Sequence, residues 1–190
     1  MSSVGAGQSM SVSVALLRGI NVGGKNRLPM KELAAMFVEA GCDDVRTYIQ
    51  SGNVLFRAGS APAADIPSLI SASILDRFGY RVPVVTRTAQ ELEEIVHRNP
   101  FPQAGAEADK LHVAFLAEQP DDAQMDALDP HRSPGDEFAV SGREIYLHCP
   151  NGLARTNLTN SYFDSTLSTT STMRNWKTVR KLLELATGAG

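Results

Sequence analysis

Apolar residues follow two rhythms along this chain, and the rhythms alternate in an order that repeats. Residues 12–17 (VSVALL) form a short, nearly continuous apolar run ending at Arg18-Gly19, which predicts a strand buried on both faces. Met30, Leu33, Ala34, Phe37 and Ala40 then recur at helical spacing behind Pro29 and stop at Gly41, predicting a helix packed on that strand. Residues 45–49 and 54–56 read as two strands of a hairpin, with the polar turn QSGN (residues 50–53) between them. Ile66, Leu69, Ile70, Ile74 and Phe78 mark a second amphipathic helix ended by Gly79, and residues 82–86 (VPVVT) another strand. The order is βαββαβ. Thr88 and Glu91 have the Thr-x-x-Glu spacing of a capping box, which opens a connector helix running through His97 and closed by Asn99-Pro100.

The second half repeats the order more weakly. A strand is predicted at residues 111–116, a helix near 121–128, strands at 137–140 and 144–148 across Ser141-Gly142, and a helix from about Leu158. A last helix carries Trp176, Val179, Leu183 and Ala186 on one face. The predicted fold class is α+β: two ferredoxin-like βαββαβ units (α/β plaits) with an extra C-terminal helix. The expected organisation is a flexible tail at 1–11, a first plait with its connector helix at 12–98, and a second plait with the C-terminal helix at 99–190.

Composition narrows the class without changing this outline. Of 190 residues, 43% are hydrophobic and 21% charged, as in a globular protein, with no low-complexity tract and no apolar run long enough to span a bilayer. The first ten residues lack the basic start and apolar core of a secretory signal, so a cytoplasmic protein is expected. Cys42 and Cys149 have no CxxC partner and suggest neither a disulfide framework nor a zinc site. His97, His112, His131 and His148 show no metal-ligand spacing. No GxSxG elbow is present, and the adjacent acidic pairs at 43–44, 93–94 and 121–122 read as solvated charges. The net charge of −3 argues against a protein that coats nucleic acid. It is unevenly spread: residues 1–57 carry +2, 58–149 carry −8 and 150–190 carry +3. If the two ends meet, they form one positive patch.

The densest candidate chemistry is RGINVGGKN, residues 18–26. Gly19, Gly24 and Lys25 match the spacing of a phosphate-binding P-loop, but Asn26 stands where that loop needs Ser or Thr for Mg²⁺, and Pro29 starts the helix too late. Two readings stay open. The glycines can simply turn the chain while Asn21 and Asn26 bond nearby backbone. Alternatively Arg18, Asn21, Gly23, Gly24, Lys25, Asn26 and Arg27 offer bare N–H groups beside three cations, as an anion requires. TTSTMRNW, residues 169–176, concentrates hydroxyls, Arg174 and Asn175 at a predicted helix start, which either caps the helix or favours an anion. Trp176 itself reads as core. A βαββαβ unit raises RNA recognition, but the strands that would stack bases hold only Phe56.

Three segments together resemble one family, the uncharacterised bacterial proteins known as domain of unknown function 1697: ALLRGINVGGKNRLPMKEL (15–33), DVRTYIQSGNVLF (44–56), and GLARTNLTNSYF with STMRNWKTVRKLLEL (152–185). The resemblance spans nearly the whole chain. It implies a pair of ferredoxin-like plaits and brings no function with it. The chain departs from the family pattern at Thr156-Asn157, where a Ser/Thr-Lys pair is usual, and so lacks a cation beside Arg155.

The leading expectation is a site for an anionic, phosphate-bearing ligand, a nucleotide or a nucleic acid. It would draw on Arg18, Asn21, Gly23, Gly24, Lys25, Asn26, Tyr48, Gln50, Ser51, Asn53, Arg155, Arg174, Asn175 and Trp176. One alternative is an enzyme of unknown reaction with Lys25 or Tyr48 as general acid or base. The other is an assembly module whose loops contact a partner chain. The sequence indicates no metal and no membrane partner, and it leaves cofactor, reaction and oligomeric state open.

Overall fold

The computed structural model describes residues 11–58 and 63–188. Almost all of the expected N-terminal tail lies outside them. Two four-stranded antiparallel sheets and six α-helices make up the described chain. The first half runs β1 (Val12–Leu17), α1 (Met30–Glu39), β2 (Cys42–Tyr48), β3 (Asn53–Ala58), α2 (Ile66–Phe78), β4 (Val84–Thr88) and α3 (Ala89–Arg98). The second runs β5 (Leu111–Leu116), α4 (Asp122–Asp126), β6 (Glu137–Ser141), β7 (Glu144–His148), α5 (Asn160–Leu167), β8 (Ser171–Asn175) and α6 (Trp176–Thr187). Strand orders are β2-β3-β1-β4 and β6-β7-β5-β8, so the apolar run that opened each half, β1 or β5, lies inside its sheet.

Each end is placed by local chemistry. The Thr88–Glu91 capping box forms at α3, and Asp121 with Gln124 makes a second box at α4. Gly79 closes α2 in the left-handed conformation. One element differs from expectation: residues 171–175 are not a helix start but the edge strand β8, and α6 begins only at Trp176, capped by Asn175, whose Oδ1 accepts from Thr178 N–H. Its polar sequence, STMRN, hid the strand, because β8 pairs with β5 over only five residues and alternates Met173 toward one side with Arg174 toward the other.

Three apolar clusters set the layers. α1 and α2 cover the outer face of the first sheet through Leu33, Phe37, Ile66, Ile70 and Ile74. Phe163 and Leu167 of α5 cover the outer face of the second. Between the sheets lies a core common to both halves: Val12, Val14, Leu16, Leu55 and Val85 from one side, Leu111, Val113, Phe115 and Tyr146 from the other, with α3 and α6 packed against each other beside them. That is why β1 and β5 are buried on both faces.

The halves correspond residue by residue. Val14 pairs with Arg87 as Val113 pairs with Arg174, and Leu16 pairs with Asn53 as Phe115 pairs with Glu144. Leu17 N–H donates to Gly52 O as Leu116 N–H donates to Arg143 O. On the same count α6 is the counterpart of α3, each following a capped β-strand end.

Candidate ligand-binding site

Arg87 and Arg174 occupy equivalent places on β4 and β8, and each reaches across the core into the opposite half. Arg87 donates from Nη2 to Leu116 O (2.7 Å) and Arg143 O (3.1 Å), and from Nη1 to Thr86 O (2.8 Å). Arg174 repeats the pattern, from Nη2 to Leu17 O (2.7 Å), Ser51 O (3.1 Å) and Gly52 O (3.3 Å), and from Nη1 to Met173 O (2.9 Å) and Thr172 Oγ1 (3.1 Å). The two differ at Nε. Arg87 Nε donates to the Glu144 carboxylate at 2.7 Å, closing a buried ion pair. Arg174 Nε donates at 2.7 Å to the neutral amide oxygen of Asn53.

The difference decides the electrostatics of each end of the core. Burial lowers both guanidinium pKa values, but Glu144 works against that at Arg87, whereas Arg174 has no carboxylate and is pushed down to about 10. Every acceptor around Arg174 is an uncharged oxygen, so its hydrogen bonds are satisfied while its charge is not neutralised.

That charge borders a cleft of about 640 Å³ at the junction of the halves, within the size range of small-molecule sites. Leu17, Arg18, Ile20 and Ser51 line it from the first half, Leu158, Asn160, Thr172 and Met173 from the second, and no Asp or Glu is among the lining residues. Four other clefts among the described residues each hold at least one glutamate. The two at the equivalent end of the core, beside Glu144 and beside Arg87, are only about 140 and 120 Å³, and both carry Glu91, whose carboxylate pairs with Arg143 at 2.5 Å. Arg18 lines the large cleft but donates from Nη1 to Asp164 Oδ2 and to Ser171 O, both at 2.7 Å, so its charge is paired. Asp164 Oδ1 in turn accepts from Ser171 N–H at 2.7 Å and holds the end of β8.

Of the sequence candidates, Arg18, Ser51, Arg174 and Asn175 line this cleft. Asn53 is fully buried behind Arg174, where its Nδ2 also donates to Tyr48 O and Ser51 Oγ. The Gly-rich loop contributes differently from expectation. Asn21 donates from Nδ2 to Leu28 O and Gln50 O and accepts Leu28 N–H, and Asn26 donates to Gly19 O, so both asparagines staple the loop. Gly23 and Gly24, at positive φ, form its turn, and Asn21 N–H and Lys25 N–H are taken by Asn26 O and Val22 O. Lys25 is exposed and outside the cleft lining, as are Gln50 and Arg155. Tyr48 packs half-buried on the shared core, and Trp176 is 4% exposed within it; neither lines the cleft. The notion of Trp176 as a ligand contact is corrected by the strand at 171–175, which points that ring between the sheets.

Thr172, one of the hydroxyls the sequence placed at a helix start, is instead buried in β8, where its Oγ1 accepts from Arg174. Residues the sequence did not single out complete the site: Ile20, Val22, Ile49, Leu153 and Leu158 supply an apolar wall. Apolar residues in otherwise polar loops were the available signal for Val22, Ile49 and Leu153. Among the described residues no three His, Cys, Asp or Glu side chains are grouped to hold a metal, and no helix is long and apolar enough to cross a membrane.

The model of a family described as protein of unknown function (DUF1697) matches residues 10–146. The solved structure of the conserved bacterial protein SP0830 from Streptococcus pneumoniae is similar with a TM-score of 0.70, covering 94% of this chain and 99% of that one. Identity is 21%, so the likeness concerns the fold. No curated protein matches the chain.

Proposed function

Because the chain belongs to the DUF1697 family, whose function is unknown, its role rests on its own site, and we propose that it binds an anionic, phosphate-bearing ligand in the cleft beside Arg174. The observation that carries the reading is the exchange of Glu144 for Asn53 at equivalent positions. It leaves the buried guanidinium of Arg87 compensated and the half-buried one of Arg174 without a carboxylate and open to the larger cleft. An isolated buried charge is costly, and an anion entering the cleft relieves that cost. The ligand meets a positive field without any carboxylate in the lining, with the hydroxyls of Ser51 and Thr178 and the amide of Asn160 available to donate. In this reading Lys25 steers from the rim.

The same reading takes residues 12–98 and 99–190 as two ferredoxin-like plaits, supported by the shared strand order and by the equivalence of Arg87 and Arg174. It places the protein in the cytoplasm, in keeping with two buried free cysteines whose thiols burial pushes up to about 11.

A thermal-shift panel at low salt tests the function. Inorganic phosphate, nucleotides, phosphorylated metabolites and short RNA or DNA are compared on the wild type and on Asn53→Asp. At 100 times its dissociation constant a ligand stabilises by about 2.7 kcal/mol. Stabilisation of the wild type by a phosphate compound, and its loss in Asn53→Asp, supports the reading. No shift from any anion refutes it.

A further inference from the structure

Five large apolar side chains stand out as exposed among the described residues, and three of them, Val22 (65%), Ile49 (51%) and Leu153 (40%), line this one cleft. They come from three separate connections: the β1–α1 loop, the β2–β3 turn and the segment ahead of α5. Exposed apolar residues are ordinary when scattered; convergence from both halves on a single rim is not. Ile49 adds a second observation. Its φ is +51°, a left-handed conformation that a β-branched side chain adopts only under constraint. The turn is constrained from both ends: Asn21 Nδ2 donates to Gln50 O, and Gly52, whose added Cβ would lie 2.8 Å from Leu17 Cβ, fixes the chain against β1. The fold thus holds an isoleucine in strain and turns it to the cleft mouth. Below the rim, Leu17, Ile20, Leu158 and Met173 continue the apolar wall down to Arg174 and Thr172, and no aromatic ring is present to stack a base.

We infer that the ligand of this site is an amphipathic anion: a single phosphate-class headgroup seated near Arg174 and Thr172, carried on an aliphatic body that packs against Val22, Ile49 and Leu153. This rests on the anion-binding reading and specifies its ligand. One unneutralised cation matches one headgroup. The lining offers no carboxylate oxygen to share a divalent ion, which disfavours a metal-bound polyphosphate. The aliphatic wall disfavours a nucleotide, whose base is bound by stacking.

The experiment is calorimetric titration at low salt with a matched set: inorganic phosphate, octyl phosphate below its micellar concentration, adenosine monophosphate and 1-octanol. Octyl phosphate is expected to bind at least tenfold more tightly than inorganic phosphate or adenosine monophosphate, and 1-octanol not measurably. Val22→Ser and Ile49→Asn, both at exposed loop positions and the latter suited to positive φ, should weaken octyl phosphate at least fivefold and leave inorganic phosphate unchanged. Inorganic phosphate binding as well as octyl phosphate, or adenosine monophosphate binding more tightly, overturns the inference while the anion site stands. Equal binding of 1-octanol also overturns it. Failure of every anion removes both.

Discussion

Asn53→Asp turns the open end of the core into a copy of the closed one. The new carboxylate would accept from Arg174 Nε in place of the amide oxygen now 2.7 Å away. A charged acceptor is worth about 1.5–3 kcal/mol against about 0.5–1.5 for a neutral one, a gain of roughly 1–1.5 kcal/mol. Against this, Asn53 Nδ2 donates to Tyr48 O at 3.2 Å and Ser51 Oγ at 3.0 Å. The serine hydroxyl can rotate and donate to the carboxylate, but the bond to Tyr48 O is lost, costing about 0.5–1.5 kcal/mol. Stability should therefore stay within about 1 kcal/mol of the wild type, or about 2–4 °C in Tm for a chain of this size. Ligand binding should not survive. An anion about 5 Å from the guanidinium gains roughly 3 kcal/mol at an effective dielectric of about 20, and a neutralised arginine forfeits it, which is on the order of a hundredfold in affinity. A ligand that stabilises the wild type by about 2.7 kcal/mol would then stabilise the variant by only about 0.4 kcal/mol. Melting curves of both proteins, with and without the anion, read both quantities. A variant that folds and keeps the full shift refutes the electrostatic argument, since the charge of Arg174 would then be irrelevant to the cleft.

Three further outcomes follow from the same geometry. Glu144→Gln should leave Arg87 as Arg174 is now, lowering unfolding free energy by about 1–2 kcal/mol in urea, whereas Glu144→Ala should cost about 3–5 kcal/mol by stranding a buried charge; equal costs would show that the ion pair is not what holds this end. Gly52→Ala should destabilise by about 3 kcal/mol, because its φ of +79° disfavours a side chain and the new methyl would press on Leu17; a Tm unchanged within error would contradict this. His112 is buried, and burial lowers its pKa below the usual 6.5 against the smaller opposing effect of the Lys110 backbone. The unfolded chain therefore takes up the proton first, so stability from this group is full above pH 6.5 and falls as the pH drops below it. His112→Leu should show a smaller loss of Tm than the wild type between pH 7.5 and 5, and superimposable pH profiles would rule that out.

Much of the fold was legible because periodicity reports burial directly. VSVALL at residues 12–17 suits a strand covered on both faces and LHVAFL at 111–116 reads as a strand; both are strands, and both are covered on both faces. The helices that Pro29, Gly79 and the Thr88–Glu91 pair delimit lie where those residues put them. β8 was not legible: five polar-rich residues carry no period strong enough to outweigh their likeness to a helix cap, and only pairing with β5 makes them a strand. The Gly-rich loop was legible as a special backbone but not as a site. Asn21 and Asn26 have the same composition whether they grip a ligand or staple a loop, and hydrogen bonds to Leu28, Gln50 and Gly19 decide for stapling. By itself, then, the sequence determined the alternation of strands and helices, the two-fold repetition and the family, because these depend on local spacing. Which cations are neutralised was left to the tertiary structure. Arg18 meets Asp164 and Arg87 meets Glu144 across 146 and 57 residues, and Arg174 meets the neutral amide of Asn53 across 121 and no carboxylate, because charge compensation is set by distance in space and no local pattern encodes it.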